Sequence, residues 1–208
     1  MFQRLLRVPI LKTVLRIANA YFLRGDFASN KRFSGFRAIV RALWVQVLIC
    51  VTLSCIVNWD YLRARYDGGA ATFVKESFSA KPGELILTVL PSLLGFGIGV
   101  YALVFALTAK LVSELGARIE DEKKRGKLSF GSALALNADL AYPLLVLALT
   151  IGLGVVQRAI PDSGALMLAS WMMFWYSLIM LIEIIGVLFG LGENSLLDKM
   201  LECEDEST

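Results

Sequence analysis

The stretch "LILTVLPSLLGFGIGVYALVFALTA", Leu85 to Ala109, holds no charged residue across 25 positions. Crossing a hydrocarbon core of ~30 Å takes about 20 apolar residues, so this block is long enough to span a bilayer. It also carries Pro91 and three glycines at alternate positions, Gly95, Gly97 and Gly99. Each glycine would cost about 1 kcal/mol relative to alanine in a water-exposed helix. Their presence poses a choice between a close-packed helix seam and a broken helix around an ion path.

Three further blocks have the same character. They run over residues 42–59, 132–157 and 165–192. The 208-residue chain is 57% hydrophobic, with a mean hydropathy of +0.65, above the 45–50% apolar content usual for a soluble domain. Because the excess sits in four long blocks, the expected fold is all-α, an integral membrane four-helix bundle. The expected organisation is a basic amphipathic segment over 1–33, a four-span domain over 34–192 and an acidic tail over 193–208.

Charge sets the orientation. The first 41 residues hold nine Lys/Arg and one acid, whereas the last eighteen hold one Lys and six acids. Counting Lys and Arg in the flanks gives nine before the first span and six between the second and third. The links between spans one and two and between three and four hold four and one, so fifteen stand against five. Cationic flanks stay on the cytosolic side. Both termini and the middle link are therefore expected in the cytosol of a bacterial inner membrane. Arg16, Asn19 and Arg24 interrupt any apolar core that a cleavable signal peptide would need. The sequences "MFQR" and "DEST" offer no lipidation box.

From Pro9 the chain reads "PILKTVLRIANAYFLRG". At 100° per residue, Ile10, Leu11, Val14, Leu15, Ile17, Tyr21 and Phe22 share one broad face, opposite Lys12, Thr13, Arg16, Asn19 and Ala20. Proline suits a first helical position and Gly25 a C-terminal stop. The pattern fits a helix lying in the cytosolic interface, or one docked on the protein's own cytosolic face. Lys12, Arg16, Arg24, Lys31, Arg32, Arg37 and Arg41 are the basic residues set to meet anionic headgroups. Beyond the second span, Leu111, Leu115 and Ile119 recur every four residues among charges, which predicts a helical stem reaching into the cytosol toward a partner surface. The link over 60–84 reads as turns flanking a short helix over 70–80. The acidic tail reads as a solvated segment.

Few polar residues lie at membrane depth. Glu183, Asn137, Asp139 and Gln46 all fall toward the cytosolic side, while Thr52, Ser54, Asn58 and Gln157 lie in the outer halves. Intramembrane ionisable residues are functional candidates. A ring of Glu183 or Asp139 around a symmetry axis would favour cations. Alternatively, Glu183 bonds to Gln46 or Asn137 and ties the bundle together. On a helix Gly95 and Gly99 fall on one face and Gly97 nearly opposite, and Gly186 and Gly190 repeat the spacing in span four. Small residues four apart let helices approach closely, so these five glycines are expected at helix-packing or oligomer interfaces. Pro91 leaves a carbonyl that Thr88, Ser92 or a neighbour would satisfy.

The chain has no histidine and only three cysteines, Cys50, Cys55 and Cys203, without metal-ligand spacing. No nucleophile elbow, phosphate loop or zinc motif occurs. The "GFGIG" run lacks the third glycine and the strand of a nucleotide site. The expectation is a non-enzyme without cofactor or metal and without direct nucleic-acid binding.

The plan of four spans, basic amphipathic N-terminus and cytosolic ends resembles the small membrane subunits of bacterial anti-phage systems, most of all the membrane subunit of the Kiwa type. That resemblance implies a homo-oligomer, with a tetramer as the expected number, that detects envelope disturbance and works with a cytosolic effector. Two functions follow. One is a membrane-state sensor or scaffold recruiting a cytosolic protein. The other is an oligomeric ion channel or pore-forming effector.

Overall fold

A computed structural model describes residues 9–23, 36–67, 78–124 and 133–205, with side chains over 10–23, 39–41, 43–64, 66–67, 78–104 and 136–193. Among the described residues six α-helices follow one another: α1 (Pro9–Phe22), α2 (Phe36–Val57), α3 (Trp59–Tyr66), α4 (Pro82–Lys124), α5 (Ala133–Ala159) and α6 (Gly164–Asp205). A 3-10 turn, Phe78–Ala80, precedes α4. No strand occurs among the described residues.

Local chemistry accounts for the helix ends. Pro82 opens α4 where its missing N–H costs nothing, and Glu84 places negative charge in the first turn. Ser163 opens α6, with its hydroxyl oxygen accepting the Leu166 N–H at 3.4 Å. The tight connection Ile160–Ser163 turns α5 back into α6, which sets the two antiparallel. α4 runs unbroken through Pro91 and α5 through Pro143. The Thr88 hydroxyl donates to the Glu84 carbonyl at 2.8 Å, so its bond goes to the turn before the one that Pro91 frees.

Among the described residues, three helices are long and apolar enough to cross a membrane: residues 82–104 of α4, 136–159 of α5 and 164–193 of α6. The apolar part of α2, Leu43–Val57, is shorter. α4 continues as helix to Lys124 and α6 to Asp205, 43 and 42 residues in all. The expected stem is thus helical in backbone, and so is most of the acidic segment that reads as a solvated tail. In the 60–84 link, α3 follows Asn58 directly, a helix that the sequence reading passed over. The short helix expected over 70–80 lies largely outside the described residues, apart from the 3-10 turn at its end.

α5 sits centrally. It packs on α4 and α6 and also carries α1, while α2 lies against α6. One core cluster joins Ile86 and Leu90 of α4, Leu147 of α5 and Met167, Trp171 and Phe174 of α6. A second joins Tyr142 and Val146 of α5 to Met180 of α6, with Ile17, Ala18, Tyr21 and Phe22 of α1 packed over it. Outside these clusters the surface is apolar on several sides: Trp44 and Leu48 on α2, Phe96 and Leu103 on α4, Val155 on α5, and Ile182, Ile185 and Phe189 on α6 are exposed. Water would disfavour this belt by about 25 cal/mol per Å² of apolar surface, whereas lipid does not.

The glycines divide. Gly97 is buried, and a Cβ there would lie 2.5 Å from Leu144 Cδ2 of α5. Gly95, Gly99, Gly186 and Gly190 face open space within this chain. A close approach of α4 and α5 uses two glycines that the spacing rule did not find. A Cβ on Gly83 would strike Gln157 Oε1 and stand 2.8 Å from the Gly154 carbonyl, and one on Gly154 would lie 2.6 Å from Ile86 Cγ2.

Candidate functional site

The Glu183 end of the bundle holds a carboxylate at a helix junction. Glu183 lies on α6 within its spanning stretch. The Tyr21 hydroxyl of α1 donates to Glu183 Oε2 at 2.6 Å, and the Gln46 amide of α2 donates to Oε1. One side chain therefore ties three helices. The Tyr21 ring stacks on Tyr142 of α5 with centroids 4.1 Å apart and planes 13° apart, and Phe22 meets the same ring edge-on at 5.6 Å. Tyr142 in turn shares a 3.0 Å hydrogen bond with Tyr176 of α6. Burial, reinforced by the hydrogen bond to Glu183, pushes the Tyr21 phenol above its ordinary value. Its proton, the one donated to Glu183, is retained at every pH below about 10.

This arrangement settles how α1 sits against the rest of the chain. The helix is docked on α5 and α6 rather than separate from the bundle. Asn19, assigned to the polar face, is buried, while Ile10, assigned to the apolar face, is 79% exposed. The single-face projection erred because α1 contacts the bundle with its C-terminal half, where Ile17, Ala18, Tyr21 and Phe22 cover the Tyr142 cluster. Lys12 and Arg16 are exposed on α1, and Arg41 is exposed on α2. Arg24, Lys31 and Arg32 lie outside the described residues, as do the side chains of Arg37, Leu111, Leu115 and Ile119.

Asn137 is tied elsewhere. Asn137 Oδ1 accepts the Tyr101 hydroxyl at 2.8 Å, which bridges α5 to α4. Asp139 is half-buried on α5. Apart from Asn19 near Tyr21, the deeply buried polar side chains described lie along the middle and the Gly83 end: Ser54, Asn58, Thr150, Gln157, Ser170 and Ser177. Thr150 and Ser177 hydroxyls bond across α5 and α6 at 2.8 Å, and Gln157 Oε1 accepts the Gly83 N–H at 2.9 Å. The Trp171 indole donates to the Ser79 carbonyl at 2.8 Å and so fastens the 3-10 turn onto the bundle. No group of three His, Cys, Asp or Glu placed to hold a metal occurs among the described residues.

Fold and surface define a helical, multi-pass membrane protein. The chain matches no protein-family model, no curated protein and no solved structure.

Proposed function

We propose that this chain is a non-enzymatic, homo-oligomeric membrane-state sensor and scaffold. In this reading it has four spans, both termini lie in the cytosol of a bacterial inner membrane, and it controls a cytosolic protein partner. The observation that supports the reading most is the Tyr21–Glu183 bond. It couples α1, whose Lys12 and Arg16 are exposed for anionic headgroups, to α6, which runs on as one helix to Asp205. A change at the bilayer surface that displaces α1 removes a donor from a carboxylate at membrane depth, and α6 carries that change toward the partner. α2 serves as the fourth span despite its short apolar part. Its 22 residues reach ~33 Å, and the exposed Arg41 near its start can extend to the headgroups. The anti-phage setting rests on the resemblance of the overall plan.

Both Glu183 oxygens already accept hydrogen bonds, which favours a tie over an open ion site. The test is a spin-label distance between Lys12→Cys and Glu193→Cys, with Cys50, Cys55 and Cys203 replaced by alanine. The distribution should lengthen when phosphatidylglycerol replaces phosphatidylcholine in the nanodisc. An identical distribution in both lipids would remove α1 as the sensing element. Currents in planar bilayers whose cation selectivity changes with Glu183→Gln would favour the pore reading instead.

A further inference from the structure

We propose that Ser54, Asn58 and Trp175 together hold an ordered water molecule inside the α2–α6 seam, toward the Gly83 end. Three polar atoms there are buried without a hydrogen-bond partner: Ser54 Oγ, Asn58 Oδ1 and Trp175 Nε1. Ser54 is 3% and Asn58 1% exposed. The Asn58 amide nitrogen is already committed to the Ser54 carbonyl at 2.8 Å, which leaves its oxygen as the free end.

Register brings these atoms together. Gln46 meets Glu183 across two antiparallel helices. Ser54 lies eight residues beyond Gln46 and Trp175 eight residues before Glu183, so at 1.5 Å per residue both stand about 12 Å further along the seam, at one level. Asn58 follows one turn later. Val57 at the end of α2 and Tyr61 of α3 pack on the cluster that Trp175 also borders. Ser170, another buried hydroxyl without a partner among the described residues, falls outside this set: it lies seven residues before Ser177, which bonds α5, and so shares the opposite face of α6.

The chemistry of the three atoms is complementary to water. An indole N–H only donates, an amide oxygen only accepts, and a hydroxyl does either. One water accepting from Trp175 and donating to Asn58 and Ser54 would make three bonds, the usual number for a buried water. The requirement is stronger here than in a soluble core, because the surrounding lipid offers no alternative partner.

The test is water–protein NMR on the full chain in nanodiscs with 15N-labelled tryptophan, the Trp175 indole signal being assigned by Trp175→Phe. A dipolar water cross-peak is expected at the Trp175 indole proton and none at Trp171, whose N–H is held by Ser79. The Ser54→Ala and Asn58→Leu variants should weaken or abolish it. Absence of the peak in the wild-type chain would overturn the proposal. So would a peak unchanged in both variants, since the water would then reach the indole from elsewhere. If Asn58→Leu does not fold, the milder Ser54→Ala decides the matter alone: an unchanged peak overturns, a weakened one supports.

Discussion

The two ends of the bundle use polar residues in opposite ways. At the Glu183 end, side chains from α1, α2 and α6 are half-buried and reach across helices to one carboxylate. At the Gly83 end, polar groups are buried more deeply, and two helices close to glycine-limited contact at Gly83 and Gly154. The first is an adjustable joint, held by a few directional bonds to a helix at the rim. The second is a fixed joint, held by shape. The proposed sensor role would need both: a part that can release, and a frame against which release is felt.

The largest effect expected from breaking this contrast is at the fixed joint. Gly83→Ala sets a methyl group against the Gly154 backbone, which cannot swing aside, and should destabilise the fold by about 1–3 kcal/mol. Gly97→Ala meets only the end of the Leu144 side chain and should cost less, partly offset by alanine's gain of up to about 1 kcal/mol in helix propensity. Unfolding in bicelles ranks the two variants, and equal losses would contradict the assignment of the frame to the Gly83 end.

A smaller effect is expected at the adjustable joint. Tyr21→Phe keeps the ring stacked on Tyr142 but removes the donor to Glu183, and should cost about 1 kcal/mol. The contribution of the phenol proton is complete below about pH 10, where an unfolded tyrosine would begin to ionise, and is lost as the pH rises beyond it. A pH titration of α1 docking should therefore be flat through the neutral range for this group. The smallest effect on the fold belongs to Gly95→Leu. A side chain there enters open space within one chain, so monomer stability should hold while cross-linked oligomers diminish. Unchanged oligomers would remove the Gly95–Gly99 face from the assembly interface.

Much of this contrast was legible in the sequence, and its failures have physical causes. Long apolar blocks announce spanning helices because length and composition alone decide them. α1 was readable from Pro9 and its period, but a projection at 100° per residue assumes one uniform partner along the whole helix, whereas Asn19 is buried and Ile10 exposed. Glu183 and Gln46 stood out as costly groups at similar depth. Tyr21 did not, because a tyrosine on an apolar face gives no sign of where its hydroxyl points. The small-xxx-small rule searches one helix at a time. It singled out Gly95 and Gly99, which this chain leaves open, and missed Gly83 and Gly154, which lie on different helices and meet only in the fold. Likewise the count of polar residues by depth favoured the Glu183 end, whereas burial favours the other, because hydroxyls bonded to their own helix pass as apolar in a sequence.

The most direct test is a double-mutant cycle between Tyr21→Phe and Glu183→Gln, read as unfolding free energy in lipid nanodiscs. The account predicts a coupling of about 0.5–1 kcal/mol for this pair and none between Tyr101→Phe and Glu183→Gln. Additive losses for Tyr21 and Glu183 would mean that α1 is not held by the carboxylate, and the proposed route from membrane surface to α6 would fall.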